Sequence, residues 1–205
     1  MKLYYSPTSP FVRKVNVFAI ESALDDQIEW VKTNPWQVED VLTSVNPLSQ
    51  VPTLITDDGK VLFDSRVICE YLDSLRTSSK LIPEQEDLRW PALRLQALAD
   101  GILESGISRF LERKREADKR STDWDELQKN SIERALNLLE SDCADWSSGT
   151  GLNIGLISAA CALGWLDFRF ADEAWREARP QLTKWFEGVS QRDSMRNTMP
   201  KEALV

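Results

Sequence analysis

Leu3-Tyr4-Tyr5 followed by Ser6-Pro7-Thr8-Ser9-Pro10-Phe11-Val12-Arg13-Lys14 is a strand that ends, turns and opens a helix. Proline cannot donate from its nitrogen, and its fixed φ suits the first helical position, so Pro10 marks that position. Ser9, immediately ahead of it, stands where an N-cap belongs. The helix beyond Pro10 carries Val12, Val15, Phe18, Ala19 and Ser22 on one face through Leu24. A helix N-terminus offers unpaired N–H groups and partial positive charge, so this turn is either a plain cap or a place where an anion docks.

Working outward, Ile28 to Val31 reads as a second strand, and Gln37 to Val45 as a short helix entered after Pro35. Asn46-Pro-Leu-Ser-Gln-Val-Pro-Thr-Leu-Ile55 reads as a turn and then a third strand. Asp57-Asp-Gly59 is a hairpin signal that returns Val61-Leu-Phe63 antiparallel. A helix from Ser65 to Leu75 follows, with Val67, Ile68, Tyr71, Leu72 and Leu75 on one face. The order β-α-β-α-β-β-α predicts a thioredoxin-like α/β domain over residues 1–80. A polar linker leads to Pro83.

From Glu86 onward the pattern is helix only, which predicts an all-α helical bundle over residues 86–205. Its helices run from Leu88 to Arg115, Trp124 to Cys143, Ile154 to Phe168 and Pro180 to Val189. Ile154 to Phe168 is almost continuously apolar or small and is expected to be the buried central helix. The mixed-sign run from Leu111 to Arg120 reads as a solvated helix end or loop. The polar segment Ser194 to Pro200 is expected to lie along the surface.

The chain has 205 residues and a formal net charge of −8, which argues against a general binder of nucleic acid or of anionic membrane. No apolar run reaches the ~20 residues of a membrane span, and Pro7 and Pro10 break any secretory signal at once, so a cytoplasmic location is expected. Three widely spaced cysteines, Cys69, Cys143 and Cys161, suit buried thiols better than disulfides or a metal site. There is no histidine, which excludes a Ser-His-Asp triad, a Cys-His pair and any histidine-ligated zinc. The chemistry left is that of hydroxyls, carboxylates, backbone amides or a thiol carried in by a ligand.

Two further stretches carry such groups. Val51-Pro52 opens the third strand, and a cis bond there would turn the Val51 N–H and C=O outward to pair with an extended peptide. X-Pro bonds in general favour trans, but together with the rest of the chain cis is expected here. Asp64-Ser65 starts the third helix, either as a simple cap or as a pair in which Ser65 and the backbone hold a carboxylate while Asp64 holds an ammonium. A ligand with both groups on one carbon is an α-amino acid terminus. An amino-acid head, a peptide middle and a thiol beside Ser9 describe glutathione.

The sequence resembles the bacterial glutathione transferases along nearly its full length. The resemblance is carried by Ser9-Pro-Phe-Val-Arg-Lys14, Asn46-Pro-Leu-Ser-Gln-Val-Pro52, Phe63-Asp-Ser65 with Ile68-Cys-Glu-Tyr-Leu72, and Ala160-Cys-Ala-Leu-Gly-Trp-Leu-Asp-Phe168. It implies a thioredoxin-like domain that binds glutathione, a helical domain that supplies the second-substrate pocket, a homodimer and a detoxifying role, with glutathione as substrate and no metal. By resemblance to the serine-type members, Ser9 faces the glutathione sulfur, with Thr8 near enough to take its place. Val51, held by Pro52, pairs with the cysteinyl backbone, Asp64 and Ser65 hold the γ-glutamyl end, and Gln50 lies near the glycyl end.

The resemblance also points to a small hydrophobic electrophile. Its pocket would draw on Phe11 and on Gly101 and Ser105, with Gly106 beside them; those small residues either open space or let helices pack closely. Asp100 is expected to reach a partner subunit's glutathione, as acids on this helix do in some relatives. Where relatives begin the central helix with Ser/Thr-x-x-Asp, this chain has Asn153-Ile-Gly-Leu156, which keeps the cap and loses the acid. No cysteine lies between positions 6 and 14, which disfavours a mixed-disulfide mechanism.

The chemistry is of feasible size. Lowering a thiol pKa of ~8.5 by about two units needs ~2.7 kcal/mol. One hydroxyl hydrogen bond to a charged acceptor gives ~1.5–3 kcal/mol, and a helix N-terminus adds ~0.3–1. The alternative function is a protein of this fold that binds glutathione or a partner without chemistry, resembling stringent starvation protein A.

Overall fold

The computed structural model describes residues 1–36, 40–77, 79–146 and 151–201. They divide into two compact units, residues 1–89 with the C-terminal residues from Asp193, and Trp90–Arg192.

In the first unit, β1 (Lys2–Tyr5), α1 (Pro10–Glu21), β2 (Glu29–Lys32), α2 (Asp40–Val45), β3 (Thr53–Ile55), β4 (Val61–Leu62) and α3 (Ser65–Ser74) follow in the order the sequence predicts. The sheet order is β2-β1-β3-β4, with β2 parallel to β1 and the two pairings of β3 antiparallel. α1 begins at Pro10 because Ser9 caps it: the Ser9 hydroxyl accepts the Val12 N–H at 3.3 Å. Val12, Val15, Phe18 and Ala19 are buried, as their helical spacing requires. The predicted helix start at Gln37 falls outside the described residues as far as residue 39; the described helix begins at Asp40. The β3–β4 hairpin closes through Thr56 N–H to the Lys60 carbonyl at 2.9 Å, and Gly59, at φ 80°, takes the left-handed position the tight turn needs.

The C-terminal segment differs from expectation. Ser194 to Pro200 does not simply lie along the surface: Asp193–Asn197 forms a short helix, α8, packed on α1. Met195 supplies the apolar contact, and both it and Ser194 are buried. The Ser194 hydroxyl donates to Glu21 at the far end of α1. One methionine in a polar stretch is too little to register as periodicity, so composition alone points to the surface.

In the second unit, α4 (Glu86–Arg113), which starts in the first unit, is followed by α5 (Thr122–Asp142), α6 (Ile154–Arg169) and α7 (Pro180–Val189). α6 is the buried centre of the unit; Asn153 caps it by accepting the Leu156 N–H at 3.0 Å. A Cβ at Gly155 would stand 2.6 Å from the Ala92 carbonyl oxygen, so glycine there lets α6 touch the α4 backbone. Arg109 on α4, 1% exposed, is the unit's polar anchor. It donates to Asp125 on α5 at 3.0 and 3.2 Å and to Glu173 at 2.8 and 2.7 Å, with Phe170 against its guanidinium. Burial pushes the Glu173 carboxyl up, but the Arg109 hydrogen bonds and the charges of Arg109 and Arg113 outweigh it and hold it below the ordinary value. Cys69, Cys143 and Cys161 are buried and form no disulfide with one another, and burial raises the Cys143 thiol above its ordinary value.

Candidate functional site

The sheet register gathers the polar turns of the first unit at one end. Tyr4 on β1 pairs with Thr53 on β3, so the C-terminal end of β1, which leads into Ser6–Ser9, lies beside the start of β3, where Val51 and Pro52 enter. β4 runs antiparallel to β3 with Leu54 opposite Leu62, which returns the chain to the same end just before Asp64 and Ser65. Topology therefore brings Ser9, Gln50, Val51, Pro52, Asp64 and Ser65 to one end of one sheet, although they lie far apart in sequence.

Each residue is held by local chemistry. Ser9 is half-buried, and its oxygen is the acceptor in the cap bond to Val12; a hydroxyl accepts through a lone pair, so its proton is left to donate elsewhere. Capping and ligand contact are therefore compatible at this residue. Thr8, the alternative, is engaged sideways with Ser6, the two hydroxyl oxygens lying 3.3 Å apart. No acid stands in the first turn of α1, whose next residues, Arg13 and Lys14, are both buried, so the local charge favours an anion.

The Val51–Pro52 peptide is cis, the expected isomer. A second cis bond joins Phe63 to Asp64. Pro52 is buried, Val51 half-buried and Gln50 exposed. Among the described residues no backbone hydrogen bond engages the Val51 N–H. Asp64 is exposed and caps α3, accepting the Arg66 N–H at 2.9 Å. Ser65 is 1% exposed, so what the start of α3 presents most openly is the Asp64 carboxylate.

The turn that presents Val51 has a keystone to which the sequence assigns no role. Asn46, 1% exposed, donates to the Gln50 carbonyl at 3.1 Å and to the Thr53 hydroxyl at 2.9 Å, and accepts the Leu48 N–H at 3.0 Å. The signal was available: asparagine before proline closes a turn through its own side chain.

The residues proposed for a second substrate lie in different units. Phe11, half-buried on α1, has the Lys14 ammonium 5.5 Å from its ring centre. On α4 the two glycines differ: a Cβ at Gly101 would meet nothing within 4 Å, whereas one at Gly106 would lie 2.6 Å from the Trp165 ring. Gly106 thus serves close packing and Gly101 faces open space; Ser105 is half-buried and Asp100 buried. Among the described residues no group of three or more acidic, cysteine or histidine side chains is placed to hold a metal ion, and no helix is long and apolar enough to cross a membrane.

Two family descriptions match the chain, the glutathione S-transferase N-terminal domain over residues 8–75 and the glutathione S-transferase C-terminal domain over residues 102–188. The chain is 35% identical to the uncharacterised GST-like protein YibF of Escherichia coli K12, over 99% of this chain and all of that one. It is 40% identical to a glutathione transferase family member from Pseudomonas fluorescens Pf-5 solved with bound glutathione, covering 98% of each chain at a TM-score of 0.93. A glutathione S-transferase from Methylobacillus flagellatus KT, also solved with glutathione bound, is 33% identical over 98% of this chain and 99% of that one, at a TM-score of 0.91. With both domains matched and a relative aligned end to end, the chain belongs to the glutathione S-transferase family.

Proposed function

We propose that this protein is a glutathione transferase that joins the glutathione thiolate to a small hydrophobic electrophile. The observation that carries the reading is the Ser9 cap: its oxygen is occupied by the Val12 N–H, and its proton remains for a sulfur. Serine acts as donor to the thiolate, and the attacking atom is the glutathione sulfur. The cysteinyl backbone pairs with Val51, the γ-glutamyl end is met by Asp64 and the start of α3 at Ser65, and Gln50 offers the glycyl carboxylate a neutral hydrogen bond. Binding of glutathione by the two relatives named above supports the ligand. In the reaction the sulfur–carbon bond forms as the electrophile's leaving group departs with its electron pair; the thiol proton has already gone to solvent.

The protein acts as a homodimer in the cytoplasm and serves detoxification in this reading. Substitution of Ser9 by alanine tests the mechanism. Conjugation of a generic aromatic electrophile is expected to fall ten- to a hundredfold, about 1.4–2.7 kcal/mol of transition-state stabilisation, while calorimetry shows glutathione still bound. An unchanged rate removes Ser9 from the chemistry, and binding without turnover in the wild type leaves a glutathione-binding protein only.

A further inference from the structure

We propose that Arg13 is a positioning residue for Ser9, through which the C-terminal helix α8 fixes the hydroxyl that meets the thiol. The inference rests on the reading that Ser9 donates to a bound glutathione thiolate. It follows from a continuous run of hydrogen bonds. The Arg13 amide donates to the Ser9 carbonyl at 3.1 Å, and the Ser9 hydroxyl accepts from Val12 one residue earlier. The Arg13 side chain reaches the other way: Nη2 donates to the Met195 carbonyl at 3.2 Å and Nε to the Thr198 hydroxyl at 3.4 Å. Thr198 is itself fixed, donating to the Ser194 carbonyl at 2.7 Å. One residue thus ties the first turn of α1 to the C-terminal segment, and its fork is planar and rigid enough to transmit a displacement.

A second feature sets Arg13 apart from a merely structural arginine. It is 7% exposed, its Nη1 is buried without a hydrogen-bond partner, and among the described residues no carboxylate meets it. Acids on the elements packed around it are turned to other groups. Glu21 on α1 takes the Ser194 hydroxyl, Asp193 on α8 pairs with Arg196, and Asp73 on α3 takes the Leu81 N–H and lies beside Arg76. Lys14, also buried, lies near Phe11. Among the described residues the guanidinium charge is therefore met by no carboxylate, on a residue whose backbone stands one helical turn from Ser9 near the positive end of α1.

The test is a titration of the thiolate absorbance of bound glutathione against pH in the full-length wild type and in R13Q, R13K and T198V, with the glutathione KM and the melting temperature of each. R13Q is expected to raise the apparent pKa of the bound thiol by about one unit, tenfold less thiolate below it, with the KM changed less than threefold. R13K and T198V, which keep a cation but loosen the grip, are each expected to give about threefold less thiolate, roughly half a pKa unit. A folded R13Q whose bound thiol titrates as in the wild type overturns the proposal. So do unchanged titrations in both R13K and T198V, which decide the matter where R13Q does not fold. Calorimetry on the wild type separates two failures: no glutathione binding removes the reading of the site, whereas binding and ionisation equal in all four proteins removes Arg13 alone.

Discussion

The Asn46 side-chain amide donates to the Thr53 hydroxyl at 2.9 Å, and that hydroxyl donates in turn to the Gln50 carbonyl at 2.8 Å, so a buried pair closes the turn from which Val51 emerges. Ser49, inside the turn, sits at φ 51°, a left-handed conformation that only the surrounding bonds sustain. Truncating Asn46 to alanine leaves the Thr53 hydroxyl without its donor and releases the Leu48 N–H and one of the two bonds to the Gln50 carbonyl. The expected cost is about 2–3 kcal/mol of stability, from the lost bonds and the desolvated groups left behind. Because the proposed glutathione contact at this turn is made by backbone groups, the glutathione KM should rise more than kcat falls. Urea unfolding and steady-state kinetics together check this, and a KM equal to the wild type's would free the turn of any role in binding.

Much of this arrangement is legible in the sequence. Pro10 and Ser9 announce α1, Asp57-Asp-Gly59 announces the hairpin, and the continuous apolar run at Ile154 announces the buried helix, because each is a local rule that tertiary context only reinforces. The gathering of Ser9, Val51 and Asp64 at one sheet end follows from topology once the strand order is known. What stayed hidden depends on single long-range contacts. Arg13 looks like a solvated charge until the Met195 carbonyl lies against it, and Asn46 looks like an ordinary turn residue until Thr53 lies above it. No periodicity records a partner 182 residues away.

Glu173 links stability to pH. Its carboxyl is held below the ordinary 4.5 by Arg109 and Arg113, so the charged form is favoured in the folded state. A depressed folded pKa gives stability that is fully present above the unfolded value and is lost as pH falls through the folded one. Replacing Glu173 by glutamine should therefore destabilise the protein at pH 7 by about 1.5–3 kcal/mol, the range for hydrogen bonds to a charged group. The gap between variant and wild type should narrow as the pH falls below 4.5. Thermal melts at a series of pH values check it; a gap independent of pH would mean that packing, not charge, holds the 173 position.

Glycines on the second unit's helices divide by what surrounds them. At Gly155 an added Cβ would meet the Ala92 carbonyl oxygen at 2.6 Å and the Leu95 Cβ at 2.9 Å, and a backbone oxygen cannot step aside. Gly155→Ala should cost about 1–3 kcal/mol through displaced helices. At Gly101 nothing lies within 4 Å, so Gly101→Ala should gain about 0.5–1 kcal/mol from helix propensity alone. Denaturant midpoints of the two variants should fall on opposite sides of the wild type; the same sign for both would contradict the packing described.

In the proposed mechanism Ser9 has two roles, and one substitution separates them. Aspartate caps a helix as well as serine does, accepting the Val12 N–H in the same way, and its charge at the helix start adds ~0.3–1 kcal/mol. Ser9→Asp should therefore unfold at or above the wild-type denaturant concentration. An ionised carboxylate has no proton to donate, however, and sets a like charge beside the sulfur, which favours the neutral thiol. The bound thiol should titrate at least two pKa units higher, with conjugation at pH 7 down at least about twentyfold. Raising the pH should recover much of that rate. Ser9→Thr, which keeps both lone pair and proton, should stay within about tenfold of the wild type, or 1.4 kcal/mol. A stable Ser9→Asp protein that still ionises glutathione at neutral pH would show that the proton of this hydroxyl is not what holds the thiolate, and would move the search to the backbone amides at the start of α1.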